Sequence, residues 1–310
     1  MKVLGISAGT KNGNNDAMCK EALMGAKEQG AEIEFIRLLD LDLKHCTGCI
    51  ACVSTLMSGK GGICSLKDDF EWLRDKMFDA DAIVFSVPIF EKGAAAIFRT
   101  LTDRFGPRTD KGMNIIATKI AEATGGKAPD QRALKEKAVS YMGIGGSDWS
   151  TRTKCDFEML SMIPMWKTID NEVFEWSKCI IMEDEKIQKA HEIGVNLAKA
   201  AADYEKAEYL GDKGICPHCH NREIYLNDDA TKAICCLCGI QGEIKVVDGK
   251  VTFEFPEEML AHSHNTLPGK FEHADDIKRN EGKLLEWKKT PEYKERLDKY
   301  KAFITATVPQ

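Results

Sequence analysis

The stretch that decides the fold is KVLGISAGTKNGNND, residues 2–16. It begins with the strand-like run KVLGIS, continues through a loop rich in glycine, hydroxyl and amide groups, and opens directly into a helical pattern at Asn14. Backbone N–H groups and the positive end of a helix dipole meet at such a loop, so it can bind an anion. The stretch therefore predicts the first β-α unit of a parallel sheet, with a phosphate group bound where the strand ends.

Five side chains of this loop are candidate phosphate ligands: Ser7, Thr10, Lys11, Asn14 and Asn15. Four of them can donate hydrogen bonds from a hydroxyl or amide group, and Lys11 adds a positive charge. The loop lacks the Gly-Lys-Ser/Thr ending of a nucleotide P-loop and the G-x-G-x-x-G pattern of a dinucleotide fold. A polar turn with an ordinary helix cap is the alternative for this loop taken alone.

The first 205 residues alternate short apolar runs with amphipathic helical stretches. Strands are expected at residues 2–7, 32–38, 82–87, 138–146 and near 168–174, and helices at 14–29, 68–78, 93–105 and 184 to about 209. Strands joined by crossover helices are typical of an α/β, doubly wound parallel sheet. We predict five strands in the order 2-1-3-4-5, with the ligand at their carboxyl ends.

Two further loops follow the third and fourth expected strands, where such a sheet binds its ligand. In the first, Pro88, Ile89 and Phe90 offer a stiff apolar wall. The second is YMGIGGSDW, residues 141–149, whose glycines allow the backbone to approach a flat ring. Its candidates are Gly143, Gly145, Gly146 and Trp149. Single aromatic residues at such positions more often belong to the core, but their coincidence with glycine loops favours a ring-binding site.

Composition narrows the classes of function. The chain is 43% apolar and 30% charged with a net charge of −6, and it holds no apolar run near the length of a membrane span. A negative net charge argues against nucleic acid as a partner. The start of the chain lacks the pattern of a signal peptide, so we expect a cytoplasmic protein that binds no membrane and acts on a small molecule.

The second of two cysteine groups has the spacing C-x2-C-x15-C-x2-C. Its members are Cys216, Cys219, Cys235 and Cys238. Two such knuckles joined by a hairpin are typical of a structural, tetrahedral zinc site, and we predict a zinc-ribbon module over residues 206–255 with a core of its own. Cys236, His218 and His220 are spare donors. Acidic residues outnumber basic ones here, which disfavours nucleic-acid binding.

The first cysteine group has the spacing C-x2-C-x2-C-x11-C. Its members are Cys46, Cys49, Cys52 and Cys64. Four thiolates are what a [4Fe-4S] cluster needs, and the tight first three can wrap it from one loop. A cluster-free loop that serves substrate or redox chemistry and a set of simple structural thiols are the alternatives.

On these motifs, residues 1 to about 200 resemble the flavodoxin-like NAD(P)H-dependent FMN reductases, including their iron–sulfur flavoprotein branch. The resemblance rests on residues 7–16, on Pro88–Phe90 before a helix ending in Asp103-Arg104, and on GIGGSDW. It implies a flavodoxin-like fold with the FMN phosphate at the first loop and the isoalloxazine ring against the second and third loops. The first cysteine group resembles that branch's cluster motif.

The resemblance implies hydride transfer from NAD(P)H to FMN and delivery of electrons to an acceptor. We expect a reductase of a small organic acceptor of enone or quinone type, with a fainter resemblance to ene-reductases that saturate flavones. An iron–sulfur electron carrier between protein partners is the alternative, and a ribbon-based binding protein is disfavoured by charge. The tail, residues 256–310, is expected to contain a charged helix around residues 291–303 and to pack on the main domain or a partner subunit, in a homodimer or homotetramer. Its side chains are expected to wall a substrate pocket, with His262, His264, Phe271 and Trp287 as candidates.

Overall fold

The computed structural model describes residues 1–309, and a parallel sheet lies at the centre of the chain. Its strands are β1 (Lys2–Ser7), β2 (Glu32–Arg37), β3 (Ala82–Phe90), β4 (Gly93–Ala94), β5 (Ala138–Ile144) and β6 (Lys167–Phe174). The order is β2-β1-β3-β5-β6, and the two-residue β4 pairs antiparallel with the end of β3. With β4 set aside, this is the predicted order 2-1-3-4-5, so the expected flavodoxin-like architecture is confirmed.

Helices cover both faces of the sheet. They are α1 (Asn14–Glu28), α2 (Ala51–Met57), α3 (Phe70–Asp79), α4 (Ala96–Thr109), α5 (Lys111–Thr124), α6 (Thr153–Met162) and α7 (Asp184–Ala202). One core cluster joins residues of α3, α4 and α6, and a second joins α1 and α7. Neighbouring residues of β1 divide between the clusters, with Leu4 and Ile6 in the first and Val3 in the second. Burial on both faces explains why the strands are continuous apolar runs.

The helices that pack on the parallel sheet differ from the expected ones mainly in two boundaries and in three additional helices. The helix expected at 93–105 begins at Ala96, because Gly93 and Ala94 form β4 after a tight turn at Glu91 and Lys92, which both have positive φ. The long helix expected to reach about residue 209 ends at Ala202. Helices α2, α5 and α6 lie where no helix was expected.

The second cysteine group lies in a small antiparallel sheet. Its strands are β7 (Ile224–Leu226), β8 (Lys232–Cys235), β9 (Gln241–Val247) and β10 (Lys250–Glu254), in the order β10-β9-β8-β7. The β9–β10 turn consists of Asp248 and Gly249, whose φ angles of 50° and 74° are those of a two-residue hairpin turn. The expected ribbon of short strands and tight turns is confirmed.

The expectation that this module has a core of its own is wrong. The four cysteine side chains pack in one cluster with Cys155, Met159 and Met162, all three of which belong to α6 of the first domain. A ribbon of about forty residues buries too little apolar surface to be stable alone. It therefore completes its core on a helix of the larger sheet.

The last part of the chain forms helices α8 (Leu267–Lys288) and α9 (Pro291–Phe303). Helix α9 has the bounds expected from the sequence, whereas α8 was not expected. Contacts divide the chain after Lys270, and residues 256–270 belong to the larger unit, where the Lys270 ammonium pairs with Asp110 at 2.6 Å. No described helix is long and apolar enough to cross a membrane.

Candidate functional site

The loop between β1 and α1 presents unpaired backbone donors at the carboxyl edge of the sheet. The N–H groups of Thr10, Lys11, Asn14 and Asn15 donate to no acceptor within residues 1–309. Helix α1 begins after Gly13 without a side-chain cap, and the Thr10 and Lys11 side chains are exposed. Open N–H groups at a helix N-terminus fit a terminal phosphate.

The two asparagine side chains already bind protein acceptors. The Asn14 amide donates to the Lys178 carbonyl at 2.9 Å and the Asn15 amide to the Ser86 hydroxyl at 3.2 Å. Ser7 is fully buried, and its hydroxyl accepts a bond from the Gly9 N–H group. These side chains therefore shape the loop, which leaves its backbone groups free for an anion.

Asp16 in the first turn of α1 is buried and paired with Arg37 of β2 at 2.6 Å. Burial acts to raise the pKa of Asp16, but hydrogen bonds from Arg37, Ser7 and the Asn12 N–H group outweigh it, and the pKa lies below its usual range. The pair neutralises a carboxylate that would otherwise repel a bound phosphate. Sequence reasoning missed it, because Arg37 lies in another strand and no motif joins the two residues.

The second loop turns its three candidate residues in different directions. Ile89 is buried in the core, Pro88 is half-buried, and the Phe90 ring is 63% exposed at the end of β3. The two-residue turn at Glu91 and Lys92 fixes this hairpin, since both residues have positive φ. An exposed phenyl ring at the carboxyl edge of the sheet suits contact with a flat ligand, whereas Ile89 supports the loop from below.

Packing explains two of the three glycines of the third loop. A Cβ atom at Gly143 would lie 2.8 Å from the Phe157 ring, and one at Gly146 would lie 3.2 Å from the Lys178 side chain. Trp149 is half-buried and packs against the core cluster under the sheet. The loop is held by hydrogen bonds between Gly145 and residues 174–177.

Two features of this edge were not found from the sequence. Trp176 follows β6 with a φ of 54° and a side chain that is 66% exposed. Helix α6 begins directly after the third loop, and its Asp156 accepts a hydrogen bond from the Ala94 N–H group at 3.0 Å. The aromatic residue after the last strand was a signal, but no pattern linked Asp156 to the distant hairpin.

A crevice of about 700 Å³ lies beside the end of β6. Ser150 and Thr151 after the third loop line it, together with Tyr209 and Arg222. Glu158 also borders the crevice, and burial raises the pKa of this carboxyl to about 7 even though the Asn171 amide donates to it at 2.6 Å. The volume of the crevice is within the range of small-molecule sites.

The four cysteines of the second group form a metal-sized cage. All four sulfur atoms lie within 4.8 Å of one another, and two pairs, Cys216–Cys238 and Cys219–Cys235, are 3.7 and 3.5 Å apart. Zn–S bonds of about 2.3 Å in a tetrahedron place sulfur atoms about 3.8 Å apart, so the cage fits such an ion. Cys236 is exposed and lies outside the group, as do both nearby histidines.

The four cysteines of the first group are not gathered in this way. Within the described residues, no three of these thiols come together as the sulfur atoms of the second group do. The Cys49 thiol contacts the Ser65 hydroxyl at 3.1 Å, and the Cys64 thiol accepts a bond from Arg104 at 3.6 Å. Cys46 and Cys49 are exposed. The loop is anchored by Arg104, which pairs with Asp68 and also donates to the Lys44 carbonyl.

Comparison with known proteins supplies the family. The family model described as NADPH-dependent FMN reductase matches residues 1–167. The chain belongs to this family. It is an FMN-dependent oxidoreductase, and its fold and first loop agree with that assignment.

Two relatives resemble the chain over most of its length. A solved structure named flavone reductase shares 58% of its sequence, covers 100% of both chains and superposes with a TM-score of 0.89. A protein of Aspergillus candidus named flavone synthase is 26% identical over 293 residues, 89% of this chain and 88% of its own length.

An iron-sulfur flavoprotein of Methanocaldococcus jannaschii is 37% identical over 108 residues, 34% of this chain and 53% of its own length.

Proposed function

We propose that the protein is an NAD(P)H-dependent reductase of flavone-like compounds, acting on an enone carbon–carbon double bond. The observation that carries the proposal is the match along the whole chain, at 58% identity, to a protein named flavone reductase. A flavone carries an enone, which is the acceptor class expected from the sequence. FMN, when bound, would accept a hydride from the nicotinamide and deliver it to such an acceptor.

In this proposal the first loop holds the FMN phosphate. The unpaired N–H groups of Thr10, Lys11, Asn14 and Asn15 donate to it, and the exposed Lys11 side chain adds charge. Ser7 keeps the loop in shape from below.

The second and third loops bind the isoalloxazine ring. Pro88, Phe90 and Trp149 contact its faces and edge, and the backbone at Gly145 and Gly146 approaches it closely. Ile89 and Gly143 act from beneath, through the core that supports both loops.

The direct test is anaerobic turnover. Purified protein loaded with FMN is mixed with NADPH or NADH and a flavone, and the products are identified by mass spectrometry. We expect a product with two added hydrogen atoms, formed only when flavin and nicotinamide are both present. Oxidation of the nicotinamide without a reduced flavone would contradict the proposed substrate class.

The phosphate assignment has its own test. Lys11→Met should weaken FMN binding about tenfold, the worth of one charge-assisted contact. Lys27→Met, in the last turn of the same helix, is the matched control and should leave binding unchanged. Riboflavin, which has no phosphate, should bind both variants equally, and a Lys11 effect on riboflavin would contradict a phosphate contact.

A second candidate function is that of an iron–sulfur electron carrier. The similarity to iron-sulfur flavoproteins and the spacing of the first cysteine group favour it. Anaerobically purified protein would then contain about four irons with acid-labile sulfide, since four thiolates hold a [4Fe-4S] cluster. Flavin absorption without iron would exclude this candidate.

The metal of the second cysteine group is proposed to be structural zinc. Four thiolates in a closed, largely buried cage leave no open position for a substrate, as in other structural zinc sites. Metal analysis of the purified protein tests this, and one iron per chain in place of zinc would indicate a rubredoxin-like centre.

We further propose a homodimer or homotetramer joined through α9. The exposed residues Leu297 and Tyr300 lie about one turn apart on one stripe of α9. Charges of both signs flank the stripe, so two copies would not repel each other. Leu297→Glu should reduce the mass measured by light scattering, and an unchanged mass would remove α9 from the interface.

A further inference from the structure

Helix α6 has two packed faces. Phe157 and Leu160 are fully buried in the core under the sheet. Cys155, Met159 and Met162 pack in the cluster that contains the four metal-site cysteines. The same ten-residue helix therefore belongs to both the sheet domain and the ribbon.

The first turn of α6 holds both loops that are proposed to bind the flavin ring. The Thr153 hydroxyl donates to the Trp149 carbonyl at 2.7 Å and the Lys92 carbonyl at 3.2 Å. The Asp156 carboxylate accepts the Ala94 N–H bond at 3.0 Å. One helix turn thus fixes the third loop and the β3–β4 hairpin relative to each other.

The fit between Asp156 and the hairpin is close. A Cβ atom at Gly93 would lie 3.0 Å from the Asp156 carboxylate, tighter than ordinary contact. Helix α6 has no side-chain cap at Arg152, and the bonds of Thr153 and Asp156 join its N-terminal turn to the two loops. A carboxylate in the first turn is also favoured by the helix dipole.

We propose that the four-cysteine metal site positions the flavin-ring loops through α6, and that Asp156 is the positioning residue. The inference rests on the proposed flavin site. It adds that binding of the flavin ring also requires an occupied metal centre on the opposite face of α6. With the metal lost, the sulfur cluster loosens, α6 loses the packing on one of its two faces, and the hairpin and third loop lose their common anchor.

The first test replaces Asp156. Asp156→Ala removes the acceptor and should weaken binding of FMN and riboflavin by the same factor, about tenfold, because the ring pocket and not the phosphate loop is affected. The visible flavin absorption band should shift as the ring environment changes. Asp156→Asn keeps an acceptor oxygen and should restore most of the affinity. Metal content should stay at the wild-type value in both variants.

Asp103→Ala is the matched control. Asp103 lies on the neighbouring helix α4 and pairs with an arginine four residues earlier, as Asp156 does, but it contacts neither loop. It should leave flavin affinity and the absorption band unchanged.

The second test removes the metal from the wild-type protein with a chelator and restores it with Zn²⁺. Affinity for riboflavin should fall on removal and recover on restoration. Unchanged riboflavin affinity in the metal-free protein, or an Asp156→Ala variant that behaves like Asp103→Ala, overturns the inference. If Asp156→Ala does not fold, the wild-type experiment decides. A wild-type protein that binds no FMN would instead contradict the proposed function itself.

Discussion

The two cysteine groups share the C-x2-C spacing but are stabilised differently. At residues 216–238, tight turns and short antiparallel strands bring four sulfur atoms within 4.8 Å of one another, against α6. At residues 46–64, the backbone around the first cysteines is irregular, and Arg104 and Arg108 hold the loop through Asp68 and Glu71. The same spacing therefore does not by itself gather the thiols; the local backbone must also direct them to one point.

The largest effect should come from breaking the second group. Cys219→Ser removes one of four ligands, and structural zinc sites contribute on the order of 10 kcal/mol to folding in small modules. We expect loss of the metal and unfolding of residues 216–254. Cys236→Ser, next to a ligand but exposed and outside the cage, is the matched control and should keep full metal content. Metal analysis and thermal unfolding measure both, and retained metal in Cys219→Ser would refute the four-ligand site.

An intermediate effect should come from the ion pair that anchors the first group. Asp68 and Arg104 are almost fully buried and 2.5 Å apart, so Asp68→Asn leaves a buried cation without its partner and should cost about 3 kcal/mol of unfolding free energy. Asp42→Asn, on the same loop but exposed, should cost less than about 0.5 kcal/mol. Denaturant unfolding compares them, and equal effects would show that the pair does not anchor the loop.

The same pair predicts a dependence on pH. Burial acts to raise the pKa of Asp68, but hydrogen bonds from Arg104 and the Lys44 N–H group outweigh it, so the folded pKa lies below that of the unfolded chain, about 3.9. Its stabilising contribution is therefore complete above the unfolded pKa and is lost as pH falls through the folded value. Unfolding at several acidic pH values should show a smaller pH dependence in Asp68→Asn, and an identical dependence would contradict this.

The smallest effect is a difference in thiol reactivity within the first group. The Ser65 hydroxyl and the Ala51 N–H group lower the pKa of the exposed Cys49 thiol, whereas burial raises that of Cys52. Because the thiolate is the nucleophile, iodoacetamide near neutral pH should label Cys49 several-fold faster than Cys52. Peptide mass spectrometry gives both rates, with the four ligands of the second group as protected references. Equal protection of Cys49 and Cys52 would indicate that a cluster binds the first group.

The sheet and the first loop could be predicted because their signals are local. Apolar runs, crossover helices and the polar stretch before Asn14 lie within short windows, and the observed strand order follows from them. Helix α9 could also be predicted from a local signal, because Pro291 at its first position follows the capping residue Thr290.

Helix α6 and the partners of the asparagines could not be predicted. Both sides of α6 are buried, at Cys155 as well as Phe157, so it lacks the single apolar stripe that identifies a surface helix. The Asn14 amide binds a carbonyl 164 residues away, and nothing near it in the sequence reveals that acceptor. Where packing depends on distant segments, residue type alone does not reveal that the Asn14 and Asn15 amides also bind protein acceptors.

The shared core on α6 also governs how the chain can be divided. A shortened protein ending near residue 205 would retain every strand of the parallel sheet and the whole first loop. It would, however, present Cys155, Met159 and Met162 to water as a contiguous sulfur-rich surface on α6. Exposed apolar patches of this kind promote aggregation, so an isolated flavin domain should be obtained only when these three positions are made polar.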